Sequence, residues 1–259
     1  MSDRVSSIVY PVLTLLLLLV VWQLAIDVLK VPDYILPRPL AVLYSLKVGY
    51  IDGEFWPHFL FTLRSTVTGY VIGCGCAIVV GAILAESRTF EKFVYPYIIG
   101  LQSMPKVALA PLITVWFGYG FASKVVMVAL ICFFPLFVNT VVGIRQTNPA
   151  LINMMRAFSA PTWYTFFRVK LFAAAGHIFA GLQISIVLSL IGAVVGEFVA
   201  SSEGIGWLIQ ASLANFNTAQ MFAGLISLIF IGVVGTRLVQ FLHNRLVFWD
   251  RGTANTAAA

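Results

Sequence analysis

Long stretches without a charged residue dominate the pattern of this chain. Runs of 19, 21, 20, 26 and 33 uncharged residues cover, in order, 8–26, 65–85, 125–144, 171–196 and 204–236. A further apolar stretch, 93–123, is interrupted only by Lys106. About 20 apolar residues in a helix cross ~30 Å of hydrocarbon. The pattern therefore predicts six spanning helices, near 8–29, 60–86, 93–117, 122–145, 176–200 and 220–246.

The composition supports a membrane location. Of the 259 residues, 60% are hydrophobic and only 10% are charged, with a mean hydropathy of +0.96. A soluble domain carries roughly a quarter charged residues, and a disordered chain combines low hydrophobicity with high charge. We therefore expect an all-α integral membrane protein. The first run is longer than the ~7–15 residues of a signal-peptide core, which favours a retained helix.

Lysine and arginine residues in the loops and towards the ends of the predicted spans are distributed unequally, and this inequality predicts the orientation. With the N-terminus in the cytoplasm, the outer side holds four cations, Lys30, Arg38, Lys47 and Lys124. The inner side then holds ten, namely Arg4, Arg88, Lys92, Arg145, Arg156, Arg168, Lys170, Arg237, Arg245 and Arg251. We expect both termini in the cytoplasm. The net charge of +6 is thus mainly a topology signal, and no nucleic-acid partner is expected.

The inner segment 145–175 has a helical pattern of its own. Asn148 and Pro149 suit the N-cap and the first position of a helix. An apolar face then follows at helical spacing, formed by Leu151, Met154, Met155 and Phe158. Such a helix on the cytoplasmic side is typical of a docking element for another protein. The alternative is a helix that lies in the lipid interface.

Two groups of residues are candidates for a translocation pathway. In the fifth predicted helix, small and polar residues recur every four positions, at Gly181, Ser185, Ser189, Ala193 and Glu197. This face could line a pore or pack tightly against another helix, with Glu197 capping the turn that follows. In the third, Pro105 and Lys106 indicate a broken helix beside a pore, or a kink whose lysine reaches a headgroup.

Other features indicate packing rather than chemistry. The second predicted helix carries small residues every four positions, which let another helix approach closely, at Gly69, Gly73, Ala77, Gly81 and Ala85. Arg64 starts the same helix, either as a snorkelling cation or as an attractant for an anionic substrate. The cysteines and histidines have no metal-ligand spacing, so no metal site is expected.

The inner segment resembles the coupling loop of bacterial ABC importer permeases. The family pattern is Glu-Ala-Ala, three residues, Gly, nine residues and Ile-x-Leu-Pro. In this chain the corresponding positions are Asn153-Met154-Met155, Ser159 and Val169-Lys170-Leu171-Phe172. Four further stretches are similar to the nitrate/sulfonate/taurine group of these permeases, at 35–39, 116–120, 133–135 and 196–206.

The resemblance implies a type I ABC importer permease fold with cytoplasmic coupling helices, in the bacterial inner membrane. It implies an N-terminal helix and periplasmic loop in 1–56, a permease domain in 57–245 and a cytoplasmic tail in 246–259. It also implies a homodimer, two cytoplasmic ATPase subunits that bind ATP and Mg, and a periplasmic binding protein. The expected contacts with the ATPase are Leu151, Asn153, Met154, Met155, Arg156, Phe158 and Ser159.

The sequence agrees with such a division of labour, because it contains no Gly-x-x-x-x-Gly-Lys-Ser/Thr loop for ATP phosphates. We expect no enzymatic activity in this chain. The expected solute is a sulfonate, nitrate, an aromatic acid or a vitamin precursor. The alternative is a stand-alone secondary transporter, although intramembrane ionisable residues are few and no inverted repeat is visible. A membrane enzyme is a weaker alternative, since no nucleophile–base pair is present.

Overall fold

A computed structural model describes residues 2–249, and helices with short connections make up this part of the chain, without a strand. A 3₁₀ turn covers Lys106–Leu109 and a π-helical turn covers Phe166–Lys170. The α-helices are α1 Ser2–Leu29, α2 Pro39–Ile51, α3 Phe55–Glu86, α4 Arg88–Ser103, α5 Ala110–Phe117, α6 Phe121–Arg145, α7 Pro149–Ala157, α8 Thr162–Thr165, α9 Leu171–Ala173, α10 Ala175–Val199, α11 Ile205–Ala214 and α12 Thr218–Leu246. The expected tail in 246–259 lies largely outside the described residues.

Five helices within residues 2–249 are long and apolar enough to span a membrane, namely α1, α3, α6, α10 and α12. A sixth span consists of two pieces, Thr89–Ser103 and Lys106–Phe117, which meet at an angle of 90°. Pro105 stands at the break with an extended backbone (φ −67°, ψ 98°). Proline lacks the amide hydrogen that a continuous helix requires. The prediction of an all-α membrane fold is confirmed, and the number of spans among the described residues is five, or six when the bent pair is counted as one span.

The centre of the bundle is formed by α3, α6 and α10, and residues without bulky side chains bring α3 and α6 together. A Cβ atom on Gly69 would lie 2.5 Å from Cβ of Val128. A Cβ atom on Gly73 would lie 2.5 Å from the carbonyl oxygen of Ala129. Both distances are far below van der Waals contact, so only glycine fits at these positions. The predicted packing role of the small-residue row is confirmed.

A second core lies around α2, α11 and α12. Phe55, at the start of α3, is buried with Val42, Ile205 and Leu208. Residues 39–51, part of the expected periplasmic loop, form the regular helix α2 with Pro39 in its first turn. Hydrogen bonds attach this region to α12, including one of 2.9 Å from the Tyr50 hydroxyl to Ser227 Oγ.

Helix α1 packs at the edge of the bundle. Between residues 9 and 29 it buries only Ile26, while leucines along its length remain more than a third exposed. Trp22 contributes a ring contact to α12, with a centroid 5.5 Å from that of Phe222. Such a continuous apolar surface requires lipid or another chain to cover it.

The close approach of α3 to α6 can be tested with a matched pair of glycines. We expect Gly73→Ala to lower the free energy of unfolding by about 1–3 kcal/mol, because its methyl group would overlap the Ala129 carbonyl. Gly75 lies half a turn away, and a Cβ there would meet nothing within 4 Å. Gly75→Ala should be neutral or slightly stabilising. Equal losses in thermal unfolding of the detergent-solubilised variants would contradict this packing.

Candidate functional site

Helix α7 presents apolar side chains that no other part of the described chain covers. The Asn148 side chain accepts a hydrogen bond of 2.9 Å from the Ala150 amide, as predicted for an N-cap, and Pro149 follows. None of the residues of α7 is buried. Met154 is 46% exposed, and Phe158, just after the helix, is 78% exposed. Leu151, Met154 and Phe158 of the predicted face are thus exposed and Met155 is half-buried, while docking itself stays a prediction.

The C-terminal end of α7 has a left-handed residue, Ser159, with φ +53°. The Ser159 amide donates to the Arg156 carbonyl at 2.9 Å, and the Ala160 amide donates to the Met155 carbonyl at 3.0 Å. These two bonds form a Schellman cap, whose left-handed position is usually glycine. The family pattern has glycine at this position. Serine keeps the same geometry here, at a conformational cost of about 1–2 kcal/mol.

Two ion pairs connect the inner segment to the helices of the membrane. Lys170 Nζ lies 2.5 and 2.9 Å from the two carboxylate oxygens of Glu86, at the end of α3. Arg145 Nη2 lies 2.7 Å from a carboxylate oxygen of Glu91, in the first turn of α4. Neither ion pair was predicted from the sequence. Glu86 lies 84 positions before Lys170, and Glu91 lies 54 positions before Arg145. No local sequence pattern reveals pairs that are so far apart.

Of the two alternatives for the polar face of α10, a pore lining or a packing face, the burial of its side chains in this structure supports the packing face. Ser185 and Ser189 are both 0% exposed. The Ser185 hydroxyl donates to the Cys132 carbonyl of α6 at 2.9 Å, and the Ser189 hydroxyl donates to the Ile186 carbonyl at 2.6 Å. A Cβ atom on Gly181 would lie 2.8 Å from Leu136. The hydroxyl groups are satisfied within the protomer, and the small side chains let α6 approach.

Glu197 belongs to the same buried face and does not line a cavity in this structure. Its carboxylate accepts hydrogen bonds from the Thr62 hydroxyl at 2.8 Å and from the Gly206 amide at 2.7 Å. Thr62 in turn accepts from the Ile205 amide at 2.8 Å. An acidic group at a helix N-terminus compensates the exposed amides and the helix dipole. Glu197 therefore joins α3, α10 and α11, as the capping alternative proposed.

The glycines of the following turn leave room for this carboxylate. Gly204 has φ +108°, and a Cβ atom there would overlap the Glu197 carboxyl group. A Cβ atom on Gly206 would lie 2.8 Å from Glu197 Oε2. The two glycines of the Gly204-Ile205-Gly206 turn thus leave free the space that the Glu197 carboxylate occupies.

Lys124, one of the four cations expected on the outer side, is buried. Its side chain is 0% exposed. The ammonium group donates to the carbonyl oxygen of Tyr119 at 2.7 Å and to that of Ala200. It joins the start of α6 to the end of α10. The only signal for this role in the sequence is its position directly before an uncharged run.

Pro105 and Lys106 lie together at the break of the third span. The Lys106 ammonium donates to the Gln102 carbonyl at 3.2 Å and lies 4.6 Å from the ring centroid of Phe134. Pro105 is exposed and Lys106 is half-buried. The break is thus established, and its place beside a pathway remains a prediction.

Comparison with known families gives a specific match. Residues 77–248 match the model of the binding-protein-dependent transport system inner membrane component. The chain belongs to this family. The riboflavin transport system permease protein RibX of Chloroflexus aurantiacus is 37% identical over 237 residues, which cover 92% of this chain and 88% of RibX. A Bacillus subtilis protein named as a putative aliphatic sulfonates transport permease, SsuC, is 28% identical over 232 residues, covering 90% and 84%.

The fold has counterparts among solved structures. A chain of the inward-facing MetNI methionine ABC transporter superposes with a TM-score of 0.64 at 18% identity, over 76% of this chain and 97% of that one. This superposition shows the fold, and the family match together with the relatives shows the role: the protein is the permease subunit of an ABC importer, a multi-pass membrane component that works with an ATPase and a binding protein. ATP hydrolysis belongs to the separate subunit, and a stand-alone secondary transporter does not fit this family.

The buried carboxylate gives a stability prediction. We expect Glu197→Ala to lower the free energy of unfolding by at least about 2 kcal/mol, because the Thr62 hydroxyl and the Gly206 amide would lose their buried acceptor. Glu203→Ala, an exposed glutamate in the adjoining turn, is the matched control and should change stability little. Thermal unfolding of both variants, in detergent and in lipid nanodiscs, measures the difference. Equal stabilities would show that Glu197 is not a structural junction.

Proposed function

We propose that two copies of this chain enclose one pathway for a small organic solute, and that each copy binds one ATPase subunit through α7. The ATPase subunits would bind ATP and Mg, and a periplasmic protein would deliver the solute. The observation that carries this proposal is the uncovered apolar face of α7, on a chain whose family works with such subunits. The proposed transport domain, 57–245, overlaps the family match at 77–248. The ten-to-four distribution of cations supports cytoplasmic termini.

The proposed docking face combines bulk with adaptability. Leu151, Met154 and Phe158 supply exposed apolar surface. Methionine is unbranched and fills irregular grooves, so Met154 and Met155 suit a groove that the usual small residues of the pattern would leave partly empty. The polar members of the proposed face are Asn153, Arg156 and Ser159.

The two inner ion pairs supply a route by which movement of α7 reaches the membrane. The segment that follows α7 is tied to α3 through Lys170 and Glu86. Arg145, the last residue of α6, is tied to α4 through Glu91. Helix α4 continues into the broken third span. A displacement of α7 would therefore act on α3 and on the break at Pro105 together.

We propose the pathway beside this break rather than along α10. A charged side chain within a span is expensive unless it faces water, protein or a headgroup, and Lys106 is only half-buried at a point where the helix turns by 90°. The solute class stays as expected from sequence: a sulfonate, nitrate, an aromatic acid or a vitamin precursor. The names of RibX and SsuC support small organic solutes.

The docking proposal predicts that Met154→Asp prevents assembly with the ATPase subunit, because a carboxylate would enter an apolar groove. Met154→Leu preserves the apolar volume and should assemble normally. Co-purification of the two subunits measures assembly, and ATP-driven uptake in proteoliposomes containing the binding protein measures function. The aspartate variant should lose uptake by at least about tenfold while the permease itself stays folded. Full assembly and uptake in the Met154→Asp variant would overturn the docking face.

The transmission route predicts a charge-reversal rescue. Lys170→Glu places two carboxylates side by side and should reduce uptake and binding-protein-stimulated ATP hydrolysis several-fold. Stability should fall by less than about 1 kcal/mol, because partly exposed pairs contribute little. Adding Glu86→Lys restores opposite charges and should recover most of the coupled activity. A double variant no more active than Lys170→Glu alone would show that the pair does not transmit movement.

A further inference from the structure

Arg64 is a cation on the exposed apolar face of α3. Leu60 and Val67, on either side of it along that face, are 38% and 49% exposed. Its position is nine residues after the start of α3 at Phe55, or roughly 13 Å along the helix axis. A charged group within a spanning helix normally finds a partner or water.

Within the described part of the chain, the Arg64 guanidinium makes no hydrogen bond or ion pair. The guanidinium groups of Arg38 and Arg145, by contrast, pair with Asp33 and Glu91. A guanidinium presents donors in a planar fork that matches the oxygens of carboxylate, sulfonate and phosphate groups. The unused donors of Arg64 therefore suit an oxyanion from outside this chain.

A cavity of about 510 Å³ lies beside Arg64, within the size range of small-molecule sites. Its walls come from α3, from the start of α6 and from the turn before α11. The rings of Phe61 and Phe121 meet edge to face in the wall, with centroids 5.9 Å apart. The full lining is Pro57, Leu60, Phe61, Arg64, Phe121 and Glu203.

Glu203 brings a second charge to the same cavity. Arg64 and Glu203 form no ion pair within 4.0 Å among the described contacts, so the two charges share the cavity without cancelling each other directly. The neighbouring polar groups are already engaged. His58 Nδ1 accepts from the Gly204 amide, and Lys124 donates to Tyr119 and Ala200.

We propose that this cavity binds a zwitterion, with its oxyanion on Arg64, its ammonium or N–H group on Glu203 and its apolar part against Phe61 and Phe121. Glu203 disfavours dianions, because it repels a second negative charge. Two sources have this chemistry, namely a solute on its way to the pathway and a phosphatidylethanolamine headgroup. The first source rests on the proposed transport function, whereas the second does not.

Isothermal titration of the purified full chain in lipid-depleted detergent tests the site. The probes are L-phenylalanine, 2-aminoethanesulfonate and the soluble lipid dihexanoylphosphatidylethanolamine, with inorganic sulfate as a dianion. We expect at least one zwitterion to bind and sulfate not to bind. Arg64→Gln and Glu203→Gln should each weaken binding by about tenfold, as expected when one charge-assisted contact is lost. Arg38→Gln, outside the cavity, is the matched control and should bind as the unaltered chain does.

The outcomes separate the two sources. Binding of either soluble amino acid identifies a solute site, and binding of the lipid probe alone identifies a headgroup site. Absence of binding for all three zwitterions, or unchanged binding in Arg64→Gln, overturns the proposal and leaves Arg64 as a cation that reaches the interface. Because titration requires no ATPase, a transporter that binds a probe but shows no ATP-driven uptake would contradict only the proposed function.

Discussion

The architecture depends on how closely α3, α6 and α10 approach one another. Lipid tails are as apolar as leucine, so burial of apolar side chains provides little force between helices in a membrane, and close packing must supply it. Gly69 and Gly73 let α3 touch the backbone of α6, and Gly181 with Ser185 does the same for α10. Hydroxyl groups at these contacts, such as that of Ser185, donate hydrogen bonds to neighbouring backbone carbonyl groups. Glu197 and Lys124 extend this principle to charges, because each is held by groups from other elements.

The packed centre determines where function can reside. With the polar face of α10 committed to α6, the surfaces left for partners are the exposed faces of α3, the broken third span and the segment around α7. The two ion pairs at the inner end join these regions, since they link the residues that flank α7 to α3 and α4. A packed centre surrounded by exposed surfaces that ion pairs link to one another suits a subunit that must transmit movement between its partners.

Local features of the sequence predicted most of the fold. Spans, the break at Pro105 and the start of α7 depend on neighbouring residues, and the sequence predicted all three. For the face of Ser185, Ser189 and Glu197 the sequence left a pore lining and a packing face open, because small polar residues at four-residue spacing form the same pattern whether they face water or another helix. The pairing of Lys170 with Glu86 and the burial of Lys124 arise from tertiary contacts, which no local spacing encodes.

The position of α1 has a consequence for how the protein is made. The ring of Trp22 in α1 contacts the ring of Phe222, which lies 200 positions later in the chain. The connection after it is likewise fixed by a bond from Thr218 to the Asp33 carbonyl. During synthesis, therefore, the contacts of the first helix with α12 form only after the last helix has been made. Until then lipid solvates the leucine-rich surface of α1, so the helix can stay in the bilayer without associating with a wrong partner.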